Sequence, residues 1–181
     1  MPLTIFAVMR MLLLFLGYFS LILIPLNSQG FGWRFFPENL LLDGWVRGDS
    51  ISCLTLARHG YWLDPSTGEG SPALLPVFPL LTSWASHVGL DAPIAALVIA
   101  NVAFAAGLVM VYRLAAVRPA ENTAERATLL LCVFPYGFVL PAAYPQSLAL
   151  LFILLALYLA ERGRLWPAST FSLLAALTHP L

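Results

Sequence analysis

Apolar residues run through much of this chain in long stretches divided by short polar punctuation. A helix needs about 20 predominantly apolar residues to cross a bilayer. Leu3 to Leu26 meets that length with Arg10 as its one charge. Ala92 to Val117 is the next clear run, with Pro93 where a first helical turn tolerates it and Tyr112-Arg113 marking the far interface. A third span is expected from Ala127 to about Ala143, broken by Pro135, Gly137 and Pro141. A fourth runs from Pro145 to Ala160, and a fifth starts near Leu165 behind Trp166 and Pro167 and is still apolar at Leu181. Ala73 to Ser86 is apolar but short and carries Pro76 and Pro79, which suits an interfacial or re-entrant segment. Were it to cross, the orientation of everything after it would invert. The N-terminal run is too long for a signal peptide, and Asn27-Ser28-Gln29 makes a poor cleavage site.

Composition agrees with the pattern. Of 181 residues, 60 % are hydrophobic and 10 % charged, where a soluble domain carries about 25 % charged residues. Nine Arg balance nine acids, with no Lys. A soluble globular enzyme, a disordered tail and a nucleic-acid binder, which would need a basic patch, are excluded. Two Cys rule out a disulfide scaffold. The expected fold class is all-α, a polytopic membrane helix bundle. Its parts are a first transmembrane helix (1–26), a long outer loop with interfacial helices (27–91) and four further transmembrane helices (92–181), the last truncated. Arg113, Arg118, Arg126, Arg162 and Arg164 crowd two short connectors, which predicts that these are cytoplasmic and that the long loop faces the other side. Cys53 and Cys132 then lie at different depths and do not pair. The expected localisation is integral and multi-pass, and the Lys-free, Ala-, Leu- and Arg-rich composition suits a bacterial plasma membrane better than endoplasmic reticulum.

A loop longer than about 12–15 residues is unusual unless it works, so function is sought in 27–91. Asn39 to His59 reads as one helix on the membrane surface, capped by Asn39. Leu42, Val46, Asp49, Cys53 and Leu56 share one stripe, and Arg47, Ile51, Leu54 and Arg58 another. An acid on a mostly apolar stripe is costly without a partner or a task. The competing reading is a break at Gly48-Asp49-Ser50 with a solvated acid, and Gly48 favours that break. Arg47 and Arg58 suit a phosphate and equally a lipid headgroup. His59 and His87 read as interfacial. Asp64 to Pro72 is turn-rich. No two His or Cys stand at metal spacing, and Asp43 and Asp49 form no Asp-x-Asp pair, so no protein-encoded metal site is expected. A divalent ion could still arrive with a donor phosphate. Tyr144, Gln146 and Ser147 sit at the outer end of the fourth span beside the broken third, where membrane sites are often built. A plain Pro141–Pro145 turn with Tyr144 in the aromatic belt is the alternative. Asn101 reads as a hydrogen-bonding tie between helices, and Gly107 with its alanines as a close helix contact.

The order Trp45-x-Arg47-x-Asp49-Ser50, then Leu56-Ala57-x-x-Gly60-Tyr61, then Pro76-Val77-Phe78-Pro79-Leu80-Leu81 resembles the PIG-V-like mannosyltransferases. Their pattern is Trp-Asp-Ser in the first outer loop, Ile-Ala-x-x-Gly-Tyr, then Phe-Phe-Pro-Leu-Tyr-Pro-Leu-Leu. Ala100-Asn101-Val102, Ala124-Glu125-Arg126, Phe134-Pro135-Tyr136-Gly137, Ala143-Tyr144-Pro145-Gln146-Ser147-Leu148 and Leu177-Thr178-His179 continue the likeness in order across roughly 40–181. Gly48 stands where the family has Trp, Ile51-Ser52 where it has His-Tyr, Gln146 where it has Glu and His179 where it has Arg. The family is longer, so the chain reads as its N-terminal portion.

The resemblance implies a GT-C-like fold and an inverting transfer of a sugar, as in mannosyl transfer, from a polyprenyl-phosphate donor to a hydroxyl of a lipid or glycan acceptor. Membrane lipids are the other expected partners, and nucleic acid is not one. No cofactor is implied. Asp49 is the expected catalytic base, within reach of the acceptor hydroxyl. Arg47, Arg58, Tyr144, Gln146 and His179 are the expected substrate-binding residues. The four departures keep open a non-catalytic membrane scaffold or a degenerate homologue that has lost transfer. A transporter is disfavoured, because the spans carry almost no ionisable groups near mid-membrane.

Overall fold

The structure, a computed structural model, describes residues 1–23, 36, 39–62, 74–116 and 122–179. Among these residues the chain is all helical and contains no strand. The helices are α1 (Pro2–Leu23), α2 (Leu40–Asp43), α3 (Asp49–His59), α4 (Val77–His87), α5 (Ala92–Ala115), α6 (Thr123–Val133), α7 (Gln146–Glu161) and α8 (Leu165–Ala176). The turn-rich stretch from Asp64 to Pro72 lies outside the described residues.

Two of these helices are long and apolar enough to cross a membrane, α1 with 22 residues and α5 with 24. At 1.5 Å per residue they extend about 33 and 36 Å. Phe6 of α1 meets Phe104 of α5 edge-on at 5.7 Å. Leu13 and Leu14, further along α1, pack on the cluster that holds Ala96 and Leu97. Helix α7 packs most extensively on α5 and α8. Gly107 is buried against Leu154 of α7, the close contact its surroundings of alanine predict.

The other expected spans are shorter as helices. Helix α6 has 11 residues, α7 has 16 and α8 has 12. The expected third span ends at Val133, because Phe134 turns to an extended conformation (φ −55°, ψ 135°). A residue before proline is driven out of the helical region by the proline ring, and Pro135 follows. Gly137 then folds back so closely that a Cβ there would stand 2.9 Å from the Cys132 carbonyl oxygen. A short 3-10 turn at Gly137–Val139 and further turns lead to Pro145. Asn101 secures this break, its Nδ2 donating to Pro141 O at 3.0 Å as well as to Leu97 O on its own helix. A buried carbonyl left without a donor would otherwise be costly.

Helix α4 has 11 residues, about 16 Å, and is too short to cross. Its first amide, Val77 N, donates to Leu177 O at the end of α8. His87 turns its Nδ1 onto Ser83 O within α4.

The expected single helix from Asn39 to His59 is two helices. Asn39 caps the first through its side-chain oxygen, which accepts from Leu42 N. The helix then stops at Asp43 and restarts at Asp49. Gly48 has φ 58° and ψ −126°, a conformation open to glycine and strained for other residues. The break separates Asp49 from Leu42 and Val46 of the expected stripe and leaves it at the exposed start of α3, one and two turns ahead of Cys53 and Leu56. The residues between, Gly44 to Arg47, form turns, and Trp45 and Val46 are buried in the main core with Cys53, Phe78, Ala142 and Leu148.

Candidate functional site

Asp49 is the first residue of α3 and is exposed. It lines two adjoining clefts. The larger, about 590 Å³, is walled by Asp49, Tyr144, Gln146, Leu150 and the irregular segment from Phe134 to Leu140. The smaller, about 160 Å³, is walled by Asp49, Cys53, Leu74, Pro79, Gln146, Thr178 and His179. Asp49 and Gln146 belong to both. Four of the six expected site residues, Asp49, Tyr144, Gln146 and His179, therefore come together from three parts of the chain.

Tyr144 is tied down by its hydroxyl, which donates to Arg47 O at 2.7 Å. This bond, with Ala143 N donating to Trp45 O at 3.0 Å, stitches the two breaks in the chain to each other. Gly48 fits here, since a Cβ on it would lie 3.2 Å from the Tyr144 oxygen. Burial pushes the Tyr144 phenol above its ordinary pKa, and the negative charge of Asp49 adds to the rise. The nearby Ser50 hydroxyl offsets part of it, although Ser50 Oγ reaches full hydrogen-bond geometry with no partner. Cys53, one turn along α3, is pushed up to about 11, first by burial and then by Asp49. Both cysteines are buried and free.

Gln146 opens α7. Its Nε2 stands 3.4 Å from His179 Nε2, and its Oε1 is buried without a partner. Turning the amide over would present Oε1 to a His179 N–H and satisfy it. Ser147, next in the chain, is fully buried with an unpartnered Oγ.

The two arginines do not join this group. Arg47 Nη2 pairs with Asp43 Oδ2 at 2.6 Å, and its Nε donates to Asp43 O. What Arg47 offers the site is its backbone carbonyl. Arg58 is nine residues beyond Asp49, about 13 Å along α3. It lines a separate cavity of about 340 Å³ with His59, Tyr61, Pro76 and Ser83. Sequence reasoning overlooked Asp43, which is 1 % exposed and also accepts from Phe36 N through Oδ1. The signal was the spacing, since Arg47 follows Asp43 by one helical turn. Ser147 was singled out in the sequence beside Tyr144 and Gln146, but Ser50 stood there only as part of a motif and of a possible helix break, because a buried hydroxyl leaves no mark on hydrophobic periodicity.

Among the described residues no group of three or more His, Cys, Asp or Glu is placed to hold a metal ion. The groups around Asp49 are an amide, a phenol, an imidazole and a hydroxyl, a set that hydrogen-bonds polar ligands. No family model, curated protein or solved structure matches the chain.

Proposed function

We propose that the chain is an integral-membrane glycosyltransferase, or the N-terminal part of one, that uses a polyprenyl-phosphate sugar at the face opposite the arginine-rich connectors. The family resemblance of the motifs supports this reading. The observation that carries it is the position of Asp49, at the junction of two clefts that share it with Gln146. A transferase must hold a donor and an acceptor on either side of one base. The larger cleft, with its aromatic and aliphatic wall, suits the lipid-borne donor. The smaller, polar one suits the hydroxyl that attacks.

In this scheme the Asp49 carboxylate accepts the acceptor's proton as the oxygen attacks the anomeric carbon. The sugar–phosphate bond breaks on the opposite face, which inverts the centre. Arg47 and Arg58 are engaged elsewhere in the fold, so the leaving phosphate relies on the amino end of α7. There the first backbone N–H groups have no partner within the helix and the dipole favours negative charge. The five-span topology belongs to the same proposal, with α6, α7 and α8 completed by their irregular extensions and by local thinning of the bilayer.

The test is transfer from polyprenyl-phosphate mannose in proteoliposomes. Asp49→Asn should lower the rate by about 10²- to 10⁴-fold, the size of a lost general base. A rate equal to that of the parent protein would end the assignment.

One observation favours a second reading, a membrane scaffold without transfer. Both outer-face arginines nearest Asp49 in sequence lie outside the clefts. On that reading Asp49→Asn changes nothing, no donor is turned over by the parent protein, and Asp43→Ala abolishes its assembly.

A further inference from the structure

Arg10 is a charge well inside the apolar helix α1, and such residues normally pair with an acid or line a site. Among the described residues no acid is paired with it. Its guanidinium instead lies over the Trp45 ring, 4.3 Å from the centroid, within the range of a cation–π contact. Its Nη1 is buried and has no hydrogen-bond partner. The side chain is thus folded onto the indole rather than extended to a headgroup region. Two turns along the same face, Gly17 leaves room for the indole edge, with Trp45 Cζ2 3.4 Å from where its Cβ would be. Trp45 is 8 % exposed.

Trp45 is not an isolated core residue. Its carbonyl accepts from Ala143 N. Two residues on, the Arg47 carbonyl accepts from the Tyr144 hydroxyl. Asp49 follows directly. The turn from Gly44 to Gly48 is therefore held at one end by α1 and at the other by the segment that carries Tyr144 and Gln146.

We infer that Arg10 is a positioning residue for the Asp49 clefts: its cation holds the Trp45 indole, and the indole fixes the turn that sets Asp49 beside Tyr144 and Gln146. The inference rests on the transfer reading only for its kinetic consequence. Its conformational part stands by itself. The choice of a cation over a plain apolar contact has a physical reason. Without the ring, the guanidinium would be an uncompensated charge in apolar surroundings, so Arg10 and Trp45 each fix where the other can lie. A methionine would fill the same space and leave the indole free to turn.

The experiment uses the full chain in proteoliposomes, labelled with 5-fluorotryptophan. The Trp45 resonance is assigned by its loss in Trp45→Phe. Arg10→Met should shift that resonance, and Arg10→Lys, which keeps the cation, should return it most of the way. In transfer from polyprenyl-phosphate mannose, Arg10→Met should lower kcat by about 10- to 30-fold with little change in KM, the weight of a desolvated cation–π contact. Arg10→Lys should recover most of the rate. If Arg10→Met does not fold, Trp45→Phe against Trp45→Leu gives the same contrast, the ring preserving what the aliphatic chain loses. An unshifted Trp45 resonance in Arg10→Met, or equal effects of Lys and Met, overturns the inference. Asp49→Asn separates the two claims. If it leaves transfer intact, the base assignment fails while the Trp45 resonance still judges Arg10.

Discussion

The packed block of α5, α7 and α8 and the junction where residues 44–48 meet 134–145 are built on opposite principles. In the block the helices are regular, with α5 meeting α7 at Gly107 among buried alanines and α7 meeting α8 at the Phe152–Phe171 pair. In the junction the helices are broken, and backbone carbonyls are satisfied from outside, by Asn101, Ala143 N and the Tyr144 hydroxyl. Each break requires polar groups to attend it. The unpartnered oxygens of Ser50, Gln146 and Ser147 collect in and beside the same region. Buried polar side chains without partners gather where the regular structure fails.

The contrast is sharpest if junction residues govern function and block residues govern stability. The largest effect should come from Asp49→Asn, a loss of about 10²- to 10⁴-fold in transfer with the denaturation midpoint in detergent unchanged. Asp43→Ala should do the reverse within the same junction. It removes the buried partner of Arg47 and the acceptor for Phe36 N. Breaking a buried pair costs about 3–5 kcal/mol, and the Arg47 side chain is 32 % exposed, so a loss of about 2–3 kcal/mol is expected. Equal stability of the Asp43→Ala and parent proteins would mean that the turn stands without its ion pair. In the block, Gly107→Leu should overpack the α5–α7 contact and cost about 1–3 kcal/mol. Gly107→Ala should be tolerated, since a Cβ there meets Leu154 at an ordinary 3.9 Å. Neither should alter transfer per folded molecule, and a change in rate would join block to junction.

Tyr144→Phe leaves Arg47 O without its donor and should cost about 1 kcal/mol, with transfer falling as the two breaks loosen. The smallest expected effect is on Cys53. Its raised pKa means that the folded chain keeps the thiol proton through a pH range in which the unfolded chain loses it. Its contribution to stability is therefore full below about pH 9 and falls as pH rises toward about 11. Iodoacetamide labelling in a Cys132→Ala background should show that high midpoint, and Asp49→Asn should lower it slightly. An unchanged midpoint would place the Asp49 charge further from Cys53 than the structure has it.

The apolar runs determined α1 and α5 outright, because twenty consecutive apolar residues are a local property that any packing must respect. Pro135 likewise announced the break after α6 through its own backbone geometry, Gly48 pointed to a break only as the alternative to one continuous helix, and Asn101 and Gly107 were legible as ties between helices. What only the tertiary structure decided is which groups share the Asp49 clefts. Tyr144 and Gln146 arrive from nearly a hundred residues away, His179 from further still, and Arg47 is withdrawn by Asp43. Periodicity reports which face of one helix is apolar. It is silent on how short, broken pieces stack, since that depends on the summed fit of small contacts between segments distant in the chain.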